Sequence, residues 1–524
     1  MAVLEKVDVV IVGAGMSGAI FAAVLSRAGK KVAVLEQGRD WNLTDLVSNE
    51  IWGRRIKAIN PAILEGKEPV GYGYNSGWGM GGAGLHFFGS FPRMLPSDLN
   101  MKSEHGHGFD WPISYEELSA YYDKVMLEVG VAGDAEAEKR WRTVNVGYPM
   151  PPLQTFGHSD VWVKGFDALG MAMVPAPLAI NSVEFKGRPA CIYDGWCNAG
   201  CPTGALANPL VTYLAEALKN GAEVRPYSTV TRVLTNPSGE RVTAVEYYDR
   251  SKEKQVQEAR VVILAAFISE NPRILFNSAT DKHPKGLSNT SGSVGQGVMT
   301  HGASTIWGLF DHDLQNFMGI AGAQRFSYDR YEKRARKDAF GSTLWHVSPA
   351  LKPNDIGGIA NTRNDLFGAA LDEFLKRSVG KLARLQAFSE EVPNPENRVV
   401  LSGEKDELGI PTVRISHTFD DDLRGLWRHA NEEGLQAAKL AGAKEAWNIP
   451  AIGPVHIIGG CRMGRTAGDS IVNNYGQSHE ITNLYLAGVS IFPTEGAVHP
   501  SNTLHAISQR GAEHVVANWG SIAG

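Results

Sequence analysis

Cysteine is scarce in this chain, since four cysteines in 524 residues are too few for a framework of disulfides. Excess charge is also missing, because 51 lysines and arginines face 56 aspartates and glutamates with no long run of either sign. A nucleic-acid-binding face is therefore not expected. The longest apolar run, residues 261–268, is far shorter than the roughly 18 residues that cross a bilayer, so no direct membrane span is predicted.

The N-terminus lacks the pattern of an export signal. Its first residues, MAVLEKVDVVIVGAG, pass directly into a strand pattern, without a cleavable hydrophobic segment or a twin-arginine pair. We therefore expect the chain to carry no export signal of its own.

What the chain does contain is ordinary globular material. Hydrophobic residues make up 43% and charged residues 20%, which excludes general disorder. At roughly 150 residues per domain, the length predicts two or three intertwined domains.

The first 36 residues have the pattern of a βαβ unit. Residues 7–12 read VDVVIV, an apolar β-branched run that suits a strand buried on both faces. Helical spacing follows over 19–27, and Gly29 ends it before a second strand predicted over 31–35. The turn between the first strand and the helix reads GAGMSG at 13–18.

That turn matches the glycine pattern that holds a dinucleotide. Gly13 permits the tight turn, Gly15 lets the backbone approach a pyrophosphate, and Gly18 lets helix and strand pack closely. Glu36, at the end of the second strand, can accept hydrogen bonds from an adenosine ribose. The motif predicts a bound dinucleotide and does not by itself distinguish FAD from NAD.

A second glycine-rich segment, GWGMGGAGLHFFG at 77–89, contains Gly81, Gly82 and His86. Two interpretations stay open. The segment is either a loop that needs positive φ angles or a backbone cradle along a flavin, with His86 near the dimethylbenzene edge.

Three further segments carry a family resemblance: ENPRILFNS at 270–278, HIIGGCRMG at 456–464 and LYLAGVSIFPTEGAVHPSNTLH at 484–505. With the N-terminal motif, and in the same order along nearly the whole chain, they resemble the glucose-methanol-choline (GMC) family of FAD oxidoreductases. The likeness is poorest over 300–450. It implies FAD as the cofactor and a CH–OH group as the site of oxidation.

The resemblance also implies an active-site pair. In the GMC family a histidine and a second histidine or asparagine flank the reactive flavin nitrogen, and by motif these positions fall on His456 and His499. One imidazole would accept the hydroxyl proton, the other would hydrogen-bond the same oxygen, and the hydride would pass to flavin N5. The same segments place cofactor contacts at Gly488, Asn502 and Thr503. The other histidines are expected to be structural.

Further strands are predicted over 223–234, 243–248, 260–265 and 484–487. We therefore predict an α/β fold whose Rossmann-like FAD-binding domain is assembled from residues 1–95, 205–300 and 455–524. Residues 96–204 are expected to be a loop-rich segment. Residues 301–454, with a charged helix over 420–440, are expected to form an α+β substrate-binding domain.

Three of the four cysteines lie close together, as Cys191-x5-Cys197-x3-Cys201-Pro202. Thiols clustered on a loop and followed by proline are typical of iron–sulfur ligation, and three of them suggest a [3Fe-4S] cluster. Zinc would need a fourth ligand nearby, and Cys461, in the strip beside the presumed flavin, is expected to be a buried thiol. The alternative is three unligated structural cysteines.

The cysteine spacing resembles the large subunits of bacterial membrane-linked glucose and fructose dehydrogenases, where such a cluster relays electrons from FAD to a cytochrome subunit. It implies a small chaperone-like subunit and a cytochrome c acceptor as partners, since no CxxCH haem motif occurs here. A signal-bearing small subunit would carry the folded chain to the periplasm. Without one, the chain would be cytoplasmic.

Two features depart from those relatives. They usually have asparagine in the phrase VNPTLT, whereas this chain reads VHPSNT at 498–503, closer to the His–His pair of the oxidases. His86 stands where some pyranose oxidases attach the flavin covalently, a link that related dehydrogenases do not all form. Acceptor choice and covalent attachment therefore stay open.

We expect an FAD-dependent dehydrogenase that oxidises carbon 1 of an aldose or carbon 3 of a glycoside and passes electrons through the [3Fe-4S] cluster. An oxygen-using pyranose or alcohol oxidase with structural cysteines is the alternative within redox chemistry. A lyase of the same family that keeps FAD only as a scaffold is a third hypothesis. No pattern in the sequence specifies the sugar or the oligomeric state.

Overall fold

The computed structural model describes residues 4–57, 61–70, 76–336, 338–347 and 349–524. Its strands, in chain order, are β1 Val7–Val12, β2 Val32–Leu35, β3 Ala62–Glu65, β4 Val174–Pro175, β5 Glu223–Arg225, β6 Thr229–Thr235, β7 Val242–Tyr248, β8 Lys254–Leu264, β9 Met299–Leu309, β10 Arg325–Ser327, β11 Arg334–Arg336, β12 Ala339–Gly341, β13 Thr343–Val347, β14 Leu382–Ser389, β15 Arg398–Lys405, β16 Pro411–Ser416, β17 Glu445–Asn448, β18 Gly453–Ile458 and β19 Leu484–Leu486.

The α-helices of the same residues are Met16–Arg27, Glu50–Gly53, Pro96–Leu99, Met101–His105, Tyr115–Val129, Ala135–Glu138, Gly157–Ala168, Tyr213–Lys219, Glu270–Asn277, Pro353–Ala360, Gly368–Ser378, Asp421–Ala441, Ser501–Ala517 and Trp519–Ala523. Short 3-10 helices occur at Leu43–Asp45, Arg54–Ile56, Gly82–Leu85, Cys197–Ala199, Pro209–Val211 and Val489–Ile491.

The first sheet has a parallel core in the order β5-β2-β1-β8-β19. Its central strands are almost continuously apolar because both faces are covered, and Val9, Val10 and Ile11 of β1 have no exposed surface. Helices Met16–Arg27 and Ser501–Ala517 pack against each other on one side. The first half of β8 continues into an antiparallel ribbon with β7 and β6.

This sheet confirms the predicted Rossmann-like α/β core built from distant pieces of chain. One predicted strand was wrong in detail: residues 223–234 are two strands, and β5 and β6 lie at opposite edges of the sheet. Tyr227, with a φ of 56°, lies in the connection between them and breaks the extended run.

The second sheet is antiparallel, in the order β17-β9-β14-β13-β10-β4, and β18 pairs with the other half of the β9 edge. One face is covered by the helix Asp421–Ala441, which Asp420 caps by accepting a hydrogen bond from the Leu423 backbone. Ile306 and Trp345 pack on this helix face. The alternate residues of the same strands therefore point away from the helix.

Two smaller units complete the described structure: a three-stranded sheet, β15-β16-β3, and the β11-β12 pair. The segment 96–204 is less loop-rich than its prolines predicted, since it contains the helices Tyr115–Val129 and Gly157–Ala168. No helix in the described parts of the chain is both long enough and apolar enough to cross a membrane.

Candidate active site

A cavity of about 300 Å³ runs between the two sheets. It is lined by eight of the residues predicted as cofactor or catalytic groups: Gly13, Gly15, Glu36, Gly82, His86, His456, Gly488 and His499. The cavity thus joins the glycine turn of the first sheet to the two predicted catalytic histidines.

The glycine turn after β1 has the geometry that its sequence requires. Gly13 has a φ of 99°, which favours glycine. A Cβ on Gly18 would lie 1.9 Å from the Gly13 carbonyl oxygen, so helix and turn meet at this point. A Cβ on Gly15 would meet nothing closer than the Gly82 Cα at 4.0 Å. The space beside Gly15 is therefore open, as a ligand phosphate would need.

Glu36 is buried at the end of β2. Its Oε2 accepts a hydrogen bond from the Ala14 amide at 2.8 Å, and its Oε1 accepts from the amides of Gly38 at 2.8 Å and Gly79 at 3.1 Å. The carboxylate thus joins three backbone segments around the turn. Because a carboxylate oxygen can accept two hydrogen bonds, Oε2 retains capacity for one more.

The second glycine segment has the positive φ angles that its first interpretation requires, and the flavin cradle stays a prediction. Gly81 and Gly82 have φ angles of 99° and 53°, and Gly82 also lines the cavity. His86 is buried, and its Nε2–H donates to the Ser76 carbonyl at 2.9 Å. Burial lowers the pKa of His86 to about 4, so the ring is neutral and its Nδ1 carries no proton.

The C-terminal motif supplies another wall. Gly488, with a φ of 88°, lines the cavity beside the first turn of the helix Ser501–Ala517. The side chains of Asn502 and Thr503 bond instead to the Phe91 carbonyl, at 3.0 Å, and to the Tyr122 hydroxyl, at 2.7 Å. Both residues therefore anchor a helix N-terminus whose unpaired amides favour negative charge.

His456 lies on a β-bulge of β18, between Val455 and Ile457, and has a φ of 60°. Positive φ is uncommon for residues other than glycine and costs of order 1–3 kcal/mol, so the surrounding structure must hold it in place. The ring of His456 lies 5.0 Å, centroid to centroid, from the ring of His499. The two predicted catalytic residues are thus brought together from the second sheet and from the loop before the helix Ser501–Ala517.

Sequence reasoning missed two further histidines at this place. His301 on β9 and His346 on β13 lie on the face of the second sheet that points away from the helix Asp421–Ala441. With His456 and His499 they surround Phe388, whose ring centroid lies 4.4–6.0 Å from all four imidazoles. We call His301, His346, His456 and His499 the histidine cluster. The only signal for them in the sequence is that β9 and β13 contain polar residues within runs that have a strand pattern.

Burial lowers the pKa of every member of the histidine cluster. The pKa of His456 falls to about 4 and that of His346 to about 3, and those of His301 and His499 lie well below the usual value. All four rings are therefore neutral at pH 7. Neither nitrogen of His346 has a hydrogen-bond partner among the described residues.

The three clustered cysteines lie away from this cavity and form no disulfide. Burial is the main cause that raises the pKa of Cys191, to about 11, and that of Cys197, and the charges of the neighbouring thiols raise both further. Two cations, Lys352 and Arg188, are buried beside the thiols. Among the described residues, no group of three or more His, Cys, Asp or Glu side chains could hold a metal ion as arranged. Cys461 is fully buried elsewhere.

Comparison with known families gives three matches. Residues 76–303 and 393–508 match the N-terminal and C-terminal profiles described as GMC oxidoreductase, and together these ranges span about two thirds of the chain. Residues 11–43 match an NAD(P)-binding Rossmann-like domain.

Several curated proteins are similar over nearly their whole length. The fructose dehydrogenase large subunit of Gluconobacter japonicus is 28% identical, with 97% of each chain covered. The 2-methyl-1,2-propanediol dehydrogenase of Mycolicibacterium austroafricanum is also 28% identical, over 99% of this chain and 96% of the relative. Paromamine 6'-oxidase of Streptomyces fradiae is 27% identical, over 98% of this chain and 91% of the relative.

A solved structure shares the fold. A formate oxidase of Aspergillus oryzae superimposes with a TM-score of 0.68 at 13% identity, and each chain is covered completely.

Proposed function

Because the chain belongs to the GMC oxidoreductase family and is an FAD-dependent oxidoreductase of CH–OH groups, we propose that it dehydrogenates a sugar or glycoside hydroxyl. The observation that carries this proposal is the pair of neutral imidazoles, the half-buried His456 and the buried His499, that lie 5.0 Å apart, centroid to centroid, in the lining of the cavity. Two such rings can contact one hydroxyl oxygen, one as proton acceptor and the other as hydrogen-bond donor.

The residues around the cavity fit FAD. The open space beside Gly15 suits the pyrophosphate, Glu36 and the helix N-termini border it, and the histidine pair lies where the reacting end of the cofactor would be. When bound, FAD supplies the acceptor for the hydride that the alcohol carbon releases. The protein holds the substrate oxygen between His456 and His499 and receives its proton. Because both rings are neutral at pH 7, one can take that proton directly.

The substrate class is supported by relatives. One acts, by its name, on fructose and another on paromamine, while a third acts on a small diol. We therefore propose a sugar or glycoside, oxidised at carbon 1 of an aldose or carbon 3 of a glycoside. A small diol is the probe that tests whether the substrate must be a sugar or glycoside.

The first test is anaerobic flavin reduction in a stopped-flow instrument, with D-glucose, a methyl glucoside, D-fructose and 2-methyl-1,2-propanediol as probes. We expect a sugar to bleach the flavin absorbance, and His456→Ala to slow this bleaching at least about 100-fold with FAD still bound, as loss of a general base does. An oxidised spectrum that persists with every probe would favour the lyase hypothesis. Unchanged kinetics in His456→Ala would contradict its assignment.

We also propose that Cys191, Cys197 and Cys201 hold a [3Fe-4S] cluster, which when bound supplies one-electron steps from FAD to a cytochrome partner. The donor set supports this, because the three thiols are free and lie close enough for neighbouring thiols to raise the pKa values of Cys191 and Cys197. Lys352, which donates to the Gly195 carbonyl, and Arg188 offer buried positive charge to compensate thiolates. The thiols would have to move together to bind iron, since they do not form a metal-binding group as arranged.

The cluster is tested by iron and acid-labile sulfide per FAD and by a low-temperature EPR spectrum of the protein as isolated. We expect about three iron atoms per FAD and the signal of an oxidised three-iron cluster. Cys197→Ser should lose the iron and the signal while the flavin is still bleached by the sugar. Iron near zero after anaerobic purification would remove the relay and leave the cysteines structural.

An oxygen-using oxidase is the second candidate function. It is favoured by the His456–His499 pair, where dehydrogenase relatives have asparagine in the second position, and by the similarity to paromamine 6'-oxidase. Rapid reoxidation of the reduced flavin by air would support it, and slow reoxidation in air with rapid reoxidation by a ferric acceptor would support the dehydrogenase.

Partners and domain division follow from the same proposal. A small chaperone-like subunit and a cytochrome c acceptor are supported by one relative being a large subunit.

We propose 1–95, 205–300 and 455–524 as the FAD-binding domain, 301–454 as the substrate domain, and 96–204 as the segment that carries the cysteine cluster. The first sheet draws its strands from the three FAD-binding ranges.

A further inference from the structure

His301 is fully buried behind His456. Its Nε2 lies 2.9 Å from the Gly496 carbonyl oxygen, and its Nδ1 lies 3.2 Å from the Nδ1 of His456. The two residues sit on paired strands, because Val455, next to His456, pairs with His301. The bulge in β18 therefore brings the His456 ring edge-on against the His301 ring.

These two contacts favour one proton position on each ring. Burial keeps His301 and His456 neutral, so each ring carries one N–H. Two backbone carbonyls act on this ring, those of Gly496 and Val455, and Gly496 has the larger effect and forms the hydrogen bond to Nε2, so we place the His301 proton on Nε2 and leave Nδ1 as an acceptor. The hydrogen bond between the two rings then requires the His456 proton on Nδ1. The Nε2 of His456 is left as the unprotonated nitrogen.

Glu495 does not disturb this arrangement. Its Oε2 lies 3.9 Å from His301 Nδ1, beyond hydrogen-bond distance, and the carboxyl is fully buried. Burial raises the pKa of Glu495 well above its usual value, which disfavours the negative charge that would promote a doubly protonated His301 ring.

We propose that His301 is a positioning residue, which holds His456 in the tautomer whose Nε2 receives the proton of the substrate hydroxyl. The inference rests on the proposed function and deepens it, because it assigns different roles to the two histidines of the pair. In this step the substrate O–H bond breaks and an N–H bond forms at His456 Nε2. His499 has no such support: its buried Nδ1 has no hydrogen-bond partner among the described residues, so no contact prevents the proton from lying on Nε2, which can then donate to the same oxygen.

Two amide substitutions separate the two contacts of His301. In His301→Asn the amide lies near the position of Nδ1, so its oxygen can still accept from His456. In His301→Gln the amide lies near the position of Nε2, so the bond to the Gly496 carbonyl is kept and the acceptor for His456 is lost. The two variants are matched in polarity and charge, and they differ in whether the hydrogen bond to His456 or the one to the Gly496 carbonyl is kept.

The readout is anaerobic flavin reduction by the sugar that bleaches the wild-type flavin fastest, with FAD content and melting temperature measured alongside. His301→Gln should lower the limiting rate constant at least about tenfold and increase the solvent deuterium isotope effect, because proton abstraction becomes slower. Half-saturation by the sugar should change less than about threefold. His301→Asn should stay within about threefold of wild type in rate constant.

The inference is overturned if His301→Gln reduces its flavin at the wild-type rate, or if both variants are equally slow at normal FAD content and melting temperature. His456→Ala in the same assay distinguishes a failure of the His456 assignment from a failure of the role proposed for His301. If His456→Ala is also as fast as wild type, His456 is not the proton acceptor; if no sugar bleaches the wild-type flavin, the proposed function itself fails. If His456→Ala is slow while His301→Gln reduces its flavin at the wild-type rate, the role proposed for His301 fails. Adding His301→Gln to His456→Ala should slow reduction no further, since both act on one proton transfer.

Discussion

Gly15 and Gly18 lie three positions apart in the turn after β1 and meet different surroundings. A Cβ at Gly18 would collide with the Gly13 carbonyl oxygen, whereas a Cβ at Gly15 would extend into open cavity. Gly15 also has φ −72° and ψ −171°, a conformation that alanine adopts without strain. One position is therefore closed by the protein and the other is left open for the cofactor.

Alanine at each position should separate cofactor binding from folding. We expect Gly15→Ala to weaken FAD binding at least about tenfold, or about 1.4 kcal/mol, while the apoprotein loses less than about 1 kcal/mol of unfolding free energy. Gly18→Ala should destabilise the apoprotein by about 1–3 kcal/mol, because helix or turn must shift. Flavin fluorescence titration and urea unfolding of both variants measure these quantities. Equal loss of FAD affinity and of stability in Gly15→Ala would contradict the open space beside it.

Residues with a local motif could be predicted from the sequence, and residues defined only by tertiary position could not. Gly13, Glu36, His456 and His499 each belong to a run of recognisable neighbours, and all line the cavity. His301 carries no such local signal, since its role depends on β18 lying beside β9. His301 and His456 are 155 positions apart, and local periodicity in the sequence cannot reveal a strand pairing over that separation.

At the level of elements, buried parallel strands were the most predictable feature. β1, β2 and β19 follow the predicted ranges within a residue or two, because each is short, apolar and bounded by turn residues. The helix predicted over 420–440 is observed at Asp421–Ala441, because its apolar residues recur with strong helical periodicity. β8 was predicted too short, since its first half is half-exposed and polar where it leaves the parallel core.

The bulge in β18 is an element-scale feature with a residue-scale effect. An extra residue between Val455 and Ile457 turns one side chain out of the normal alternation of the strand. A regular strand would place residue 456 on the opposite face from its two neighbours. No spacing rule in the sequence marks such an insertion, so the direction of the His456 side chain could not be predicted.

Over the whole molecule, buried neutral histidines make the fold sensitive to acid. Besides the histidine cluster, burial lowers the pKa values of His86, His158 and His505 to about 4. An unfolded histidine has a pKa near 6.5, so the unfolded chain takes up these protons first as the pH falls. The stability that these neutral rings contribute is complete above about pH 6.5, and it is lost as the pH falls through their folded-state pKa values near 4.

We therefore expect the melting temperature of the FAD-loaded protein to fall continuously from pH 6.5 to pH 4.5. Asp98, Glu391 and Glu495 act in the opposite direction, because burial raises their pKa values, but they are outnumbered. Thermal unfolding followed by circular dichroism across this range measures the trend. His505→Asn, which can keep the donor to the Ser501 carbonyl, should show a shallower slope. A constant melting temperature down to pH 4.5 would contradict the burial of these rings.

The discontinuous first sheet has a consequence for synthesis on the ribosome. β1 and its glycine turn are translated before Gly488, His499 and the first turn of the helix Ser501–Ala517, which line the same cavity. A nascent chain halted before residue 484 would present the phosphate turn without Gly488 or His499 beside it. We therefore expect flavin loading to follow translation of Gly488 and His499, and until β19 is translated the edge of β8 that pairs with it stays open.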